Sequence, residues 1–107
     1  MALKYCALRN TQRIAMIKSF RHKGLARFYR SGDTRGVQFF HAGRLRVILT
    51  SLETASSIED CNRPGYGLHQ LKGEFKRRWS IKVSANWRMT FEFRQGNAYL
   101  LNYEDYH

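Results

Sequence analysis

The chain has 107 residues, 43% of them hydrophobic, and its nineteen Lys and Arg face eight Asp and Glu for a formal charge of +11. That length holds one domain with a modest core. The hydrophobic share excludes a disordered chain, and no apolar run reaches the ~18 residues of a membrane span. The basic excess favours a polyanionic partner, most simply nucleic acid, or else an acidic protein.

Residues 1–15 carry Lys4, Arg9 and Arg13 and no acid, and their apolar runs are too short for a signal-peptide core. They are read as an appendage ahead of a natural start at Met16, with the domain proper at 16–107. Met16, Ile17, Lys18, Ser19 and Phe20 alternate like a strand. Gly24 and Leu25 open a short helical stretch with Leu25, Phe28 and Tyr29 at helix spacing, closed by Ser31, Gly32 and Asp33. The best helix is predicted over residues 39–55, where Leu45, Ile48, Leu49 and Leu52 fall at i, i+3, i+4 and i+7 and make one apolar stripe. Arg44 and Arg46 flank that stripe as solvated charges, and His41 is read as a surface or packing residue.

Pro64, Gly65 and Gly67 mark a connecting loop, after which Leu68 to Gly73 reads as a short extended segment. Lys76, Arg77 and Arg78 form a basic turn. Two strands follow, with apolar positions Trp79, Ile81 and Val83 in one and Trp87, Met89, Phe91 and Phe93 in the other, the period-two pattern of strands with one buried face. Turns at Ser84-Ala85-Asn86 and Gln95-Gly96-Asn97 join these to a last strand over residues 98–103. The order predicts a compact α+β domain: an antiparallel sheet of about four strands plus an N-terminal strand, with two helices packed on one face. Cys6 and Cys61 belong to no CxxC or Cys/His spacing, so no zinc site is expected and both are read as reduced thiols of a cytosolic protein.

The chemistry concentrates on the other face of the sheet and on the tail. Arg88, Thr90, Glu92 and Arg94 project opposite the Trp and Phe row, and Lys82 does the same on the neighbouring strand. Hairpin pairing brings Asp105 to His107 near the start of the 87–94 strand, close to Arg88. If the segment of His69 and Lys72 shares that face, two imidazoles, Lys72, Arg88 and Asp105 converge. Such a set suits RNA cleavage by attack of the ribose 2′-hydroxyl on the adjacent phosphate. Histidines titrate near working pH and can move the protons, Lys72 and Arg88 can hold the phosphate, and Tyr103 or Tyr106 can stack on a base. The reaction calls for no cofactor or metal.

From Met16 onward the chain closely resembles the HigB toxins, ribosome-dependent mRNA interferases of the RelE superfamily. The resemblance rests on Met16-Ile17-Lys18-Ser19-Phe20 with His22-Lys23-Gly24-Leu25, on Leu68-His69 with Leu71-Lys72-Gly73, and on Trp79-Ser80-Ile81 with Val83. Ala85-Asn86-Trp87-Arg88 with Thr90-Phe91 and the closing Asn102-Tyr103-Glu104-Asp105-Tyr106-His107 complete it. It implies a RelE-like fold, endoribonuclease cleavage of mRNA in the ribosomal A site, and a helix-turn-helix antitoxin of the HigA type that binds the operator with the toxin. It carries His69, Asp105, Tyr106 and His107 over as catalytic residues. Lys72 and Arg88 carry over as phosphate ligands. Lys82 on the polar strand face and Arg77 and Arg78 of the basic turn are read from the residues themselves as further RNA contacts. Phe75-Lys76-Arg77-Arg78 departs from the family, which usually has a glycine before the aromatic-Ser-Ile strand. The competing readings are a non-enzymatic, gyrase-poisoning toxin of the ParE type and a basic RNA-binding module without catalysis.

Overall fold

The computed structural model describes residues 17–73 and 77–106. The expectations for residues 1–15, for Cys6, for Met16, for Phe75 and Lys76 in the basic turn, and for His107 lie outside the described residues. Helix α1 (Lys23–Ser31) begins where His22 accepts the Leu25 N–H at 3.0 Å through Nδ1, and it ends at Gly32, whose φ of 78° lets its N–H close back on the Phe28 carbonyl. A 3₁₀ turn (Phe39–His41) leads into helix α2 (Ala42–Thr54). All four residues of the predicted apolar stripe, Leu45, Ile48, Leu49 and Leu52, are buried in it.

The strands are β1 (His69–Gln70), β2 (Arg78–Ser84), β3 (Trp87–Arg94) and β4 (Asn97–Asp105). Among the described residues they form one antiparallel sheet in the order β1-β2-β3-β4. Leu25 and Phe28 of α1 and the α2 stripe pack on Ile81, Val83, Met89, Phe91, Leu101 and Tyr103, so the core lies between the helices and one sheet face. Cys61 is buried there, and burial pushes its thiol up to about 11, which keeps it protonated and unreactive. Among the described residues no helix is long and apolar enough to cross a membrane.

The N-terminal segment differs from the expected strand. It runs parallel to β4, but among the described residues its ladder pairing is reduced to two isolated bridges, Ile17 to Ala98 and Phe20 to Leu101. The ladder is interrupted because β4 carries an extra residue at Leu100, a bulge with φ of 56°, and pairing with β3 shifts register between Thr90 and Glu92. A leucine in the left-handed region costs about 1–2 kcal/mol, so its neighbours must hold it there. Ser19 Oγ accepts the Leu100 N–H at 2.9 Å, the Ser19 carbonyl accepts the Leu101 N–H at 3.1 Å, and the Arg78 guanidinium donates to the Leu100 carbonyl at 3.2 Å.

His41 is more constrained than a surface residue. It is buried, and its Nδ1 lies 2.6 Å from the Tyr103 hydroxyl, which also accepts the Gln38 N–H at 3.3 Å. Burial lowers the pKa of His41, and it is the larger influence lowering that of the capping His22. A neutral His41 accepting the Tyr103 proton satisfies all three groups. Below the unfolded value near 6.5 the unfolded chain therefore binds more protons than the native one, and stability falls as pH drops from about 6.5. Thermal unfolding followed between pH 7.5 and 5.5 is expected to show a falling midpoint, with a shallower slope for His41→Asn. An unchanged slope in that variant rejects the assignment.

Candidate functional site

Antiparallel partners share a face, so the register lays out the side of the sheet that turns away from the helices. One row crosses all four strands as His69, Ser80, Thr90 and Asn102. The next is Lys82, Arg88 and Glu104. A third is Arg78, Glu92 and Tyr99. The bulge at Leu100 sets the phase of the last strand: it puts Asn102 and Glu104 on the polar face and turns Leu101 and Tyr103 into the core.

Lys82, Arg88 and His69 thus share one face, as expected. His69 stands two strand spacings, about 10 Å, from the strand of Arg88. Its Nδ1 faces the Gly67 carbonyl at 3.2 Å, which selects the tautomer that leaves Nε2 with a lone pair. Lys72 and Arg77 are exposed at the two ends of the segment between β1 and β2. Arg88 donates through Nη1 to the carbonyls of Ala85 at 2.7 Å and Trp87 at 3.1 Å, anchoring its guanidinium beside the β2–β3 turn.

The tail divides between the two faces. Asp105 pairs with Trp87 and Glu104 with Arg88, so alternation directs Asp105 to the side of Trp87 and Tyr103. The acidic side chain beside Arg88 in the ladder is Glu104. Tyr106 comes back to the polar face. Its N–H donates to the Asn86 carbonyl at 2.8 Å, and its phenol feels Glu104, Arg78 and Arg88. Burial, then Glu104, raises the Tyr106 pKa against the pull of the two arginines. At neutral pH the phenol therefore keeps its proton and acts as a donor.

Two residues are placed otherwise than the sequence suggested. Tyr103 is no base-stacking residue: it is 4% exposed, stacks on Trp87 with ring centroids 4.5 Å apart, and bonds His41. Arg78, expected in the basic turn as an RNA contact, instead opens β2 with its side chain buried: it is 7% exposed and donates to the Thr90 hydroxyl at 2.9 Å, which in turn donates to the Glu104 carboxylate at 2.7 Å. Arg78, Thr90 and Glu104 make a relay beneath the polar face that no local sequence pattern announces. The signal available was Thr90 between Arg88 and Glu92 on the polar side of its strand.

The surroundings match a known family. A model for the RelE-like toxin HigB of type II toxin–antitoxin systems matches residues 18–107. The chain belongs to this HigB toxin family. Among its HigB relatives, the protein named Endoribonuclease HigB of Proteus vulgaris is 51% identical over 92 residues, which cover 86% of this chain and all of that protein. As a type II toxin of the HigB family, the protein has an antitoxin for a partner. The HigB match spans every described element, from the N-terminal segment beside β4 to Tyr106, and so includes both edges of the polar face.

Proposed function

We propose that the protein is an endoribonuclease that cuts translated mRNA in the ribosomal A site and so arrests translation and growth. The observation that carries this reading is the 51% identity, over the full length of the relative, to a protein named an endoribonuclease of the same family. The polar sheet face adds the chemistry. In the reaction the ribose 2′-oxygen forms a bond to phosphorus as the bond to the 5′-oxygen breaks, leaving a 2′,3′-cyclic phosphate and a 5′-hydroxyl. One group takes the 2′ proton and another returns a proton to the 5′-oxygen, each transfer worth roughly 10²–10⁴-fold.

His69, through its Nε2, and His107 supply those transfers, with Asp105 supporting His107. Lys72 and Arg88 neutralise the charge that grows on the phosphorane. Tyr106, protonated at neutral pH, donates to a phosphate oxygen instead of serving as the base. Lys82 and Arg77 hold the flanking backbone, and Arg78 acts from beneath by bracing Thr90 and Glu104. A net charge of +11 suits docking on rRNA phosphates, which weakens with salt. The same charge suits an antitoxin with an acidic surface, of the HigA helix-turn-helix type, that takes the toxin to operator DNA. A cytoplasmic location follows from a ribosomal target. The family assignment favours neither gyrase poisoning nor RNA binding without catalysis.

Primer extension on mRNA from expressing cells tests the reading. Cuts are expected only within translated frames and are expected to vanish in His107→Ala. Equal cutting of free RNA removes the ribosome dependence, and full cutting by both His107→Ala and Asp105→Ala removes the site.

A further inference from the structure

Beside the cationic row the polar face holds a cavity of about 310 Å³, lined by Arg21, Leu71, Arg78, Asn102, Glu104 and Tyr106. Its volume is at the lower end for small-molecule sites. Most polar groups of a folded domain are engaged with one another, but several here have a free valence. The side chains of Arg21 and Asn102 make no hydrogen bond or ion pair among the described residues. Glu104 is held through Oε2 by Thr90, and among the described residues no cation lies within 4.0 Å of its carboxylate. Leu71 and the Tyr106 ring supply apolar wall, and Tyr106 is 40% exposed.

We propose that this cavity is a nucleobase subsite for a nucleotide adjoining the scissile bond, and that it selects bases carrying an exocyclic amino group. The proposal rests on the endoribonuclease reading above. The chemistry of the lining assigns each part of a nucleotide. The Tyr106 ring and Leu71 offer faces for a flat base, since an aromatic ring stacks on any base. Arg21, an exposed lining residue, suits a phosphate, with a fork that matches two of its oxygens. The open oxygen of Glu104 can only accept, so it rewards the amino donors of adenine, guanine and cytosine. Uracil turns carbonyl oxygens toward the positions where those bases carry amino groups, and an acceptor facing an acceptor is repelled. Asn102 both donates and accepts, so it serves any of the four bases. The relay through Thr90 to Arg78 keeps the carboxylate in one orientation, which a discriminating acceptor requires.

Nucleoside monophosphates test the proposal without a ribosome. The full chain is titrated with AMP, GMP, CMP and UMP, and with ribose 5-phosphate, while the backbone amides of Leu71, Asn102 and Tyr106 are followed by NMR. AMP, GMP and CMP are expected to move these amides with affinities roughly tenfold above that of UMP, the worth of one hydrogen bond to a charged group. Ribose 5-phosphate is expected to leave Leu71 unmoved. In Glu104→Gln, whose amide also donates, the gap between CMP and UMP is expected to close. Equal affinities for all four nucleotides in the wild type, or shifts confined to other residues, overturn the subsite, as does a gap that survives in Glu104→Gln. Failure of the nuclease reading looks different: the wild type then cuts no translated mRNA whatever the nucleotides do at the cavity.

Discussion

Arg88→Ala is expected to reduce cleavage of translated mRNA by roughly 10²–10³-fold, the usual cost of removing one preorganised donor from a developing oxyanion. Arg88 lies between Lys82 and Glu104 in a cross-strand row, and its Nη1 is tied to the Ala85 and Trp87 carbonyls. Those bonds fix the plane of the guanidinium, so in the proposed role its remaining nitrogens are oriented for a phosphate in advance. Losing the bonds to the turn costs about 1 kcal/mol of stability, too little to unfold a domain. The variant should therefore retain a cooperative melt while losing activity. Arg88→Lys keeps the charge but lacks the planar fork, and is expected to recover only part of the rate. Quantified primer extension, with circular dichroism melts of the same preparations, separates the two effects. Activity within a few-fold of wild type in Arg88→Ala places the phosphate elsewhere.

Gly24→Ala is expected to destabilise the fold by about 1–3 kcal/mol and to lower the melting temperature by roughly 5–15 °C. A Cβ built on Gly24 meets the Gly36 carbonyl oxygen at 2.5 Å and the Gly36 Cα at 2.7 Å. A Cβ on Gly36 would in turn lie 2.4 Å from the Gly24 Cα. Backbone meets backbone there, so no side chain can turn aside, and the loop after α1 has to move. Alanine's intrinsic advantage in a helix, about 1 kcal/mol over glycine, offsets only part of this. Gly43 in α2 is the control, because a Cβ there meets nothing within 4 Å. Gly43→Ala should be neutral or slightly stabilising. Equal melting temperatures for the two variants would show that the Gly24–Gly36 approach carries no constraint.

Much of the fold was legible because its elements obey local periods. The α2 stripe and the alternation in β2 and β3 each reflect one buried face, and the burial of Leu45, Ile48, Ile81, Met89 and Phe91 follows them. His22 as a helix cap and the Gly24–Gly36 contact were not legible, since a cap is known by its acceptor geometry and a close approach by its partner. The same limit applies to His41, whose place in the chain resembles that of any histidine before a helix. Only the return of Tyr103 beneath it gives the imidazole a bond and a buried position.

The polar face shows the division most clearly. Composition and residue type by themselves determined that this is a small basic α+β domain with imidazoles, cations and carboxylates near one sheet, because charge balance and alternation need no tertiary information. The tail's residues are likewise plain in the sequence. Which way each of them points is not. A single extra residue at Leu100, held by Ser19 and Arg78 from distant parts of the chain, inverts the alternation of everything after it in β4. That inversion sends Tyr103 into the core and Glu104 to the row of Arg88. A bulge is stabilised by partners far away in sequence, so only the folded sheet decides which of the tail's side chains share the face of Arg88 and which turn toward the core.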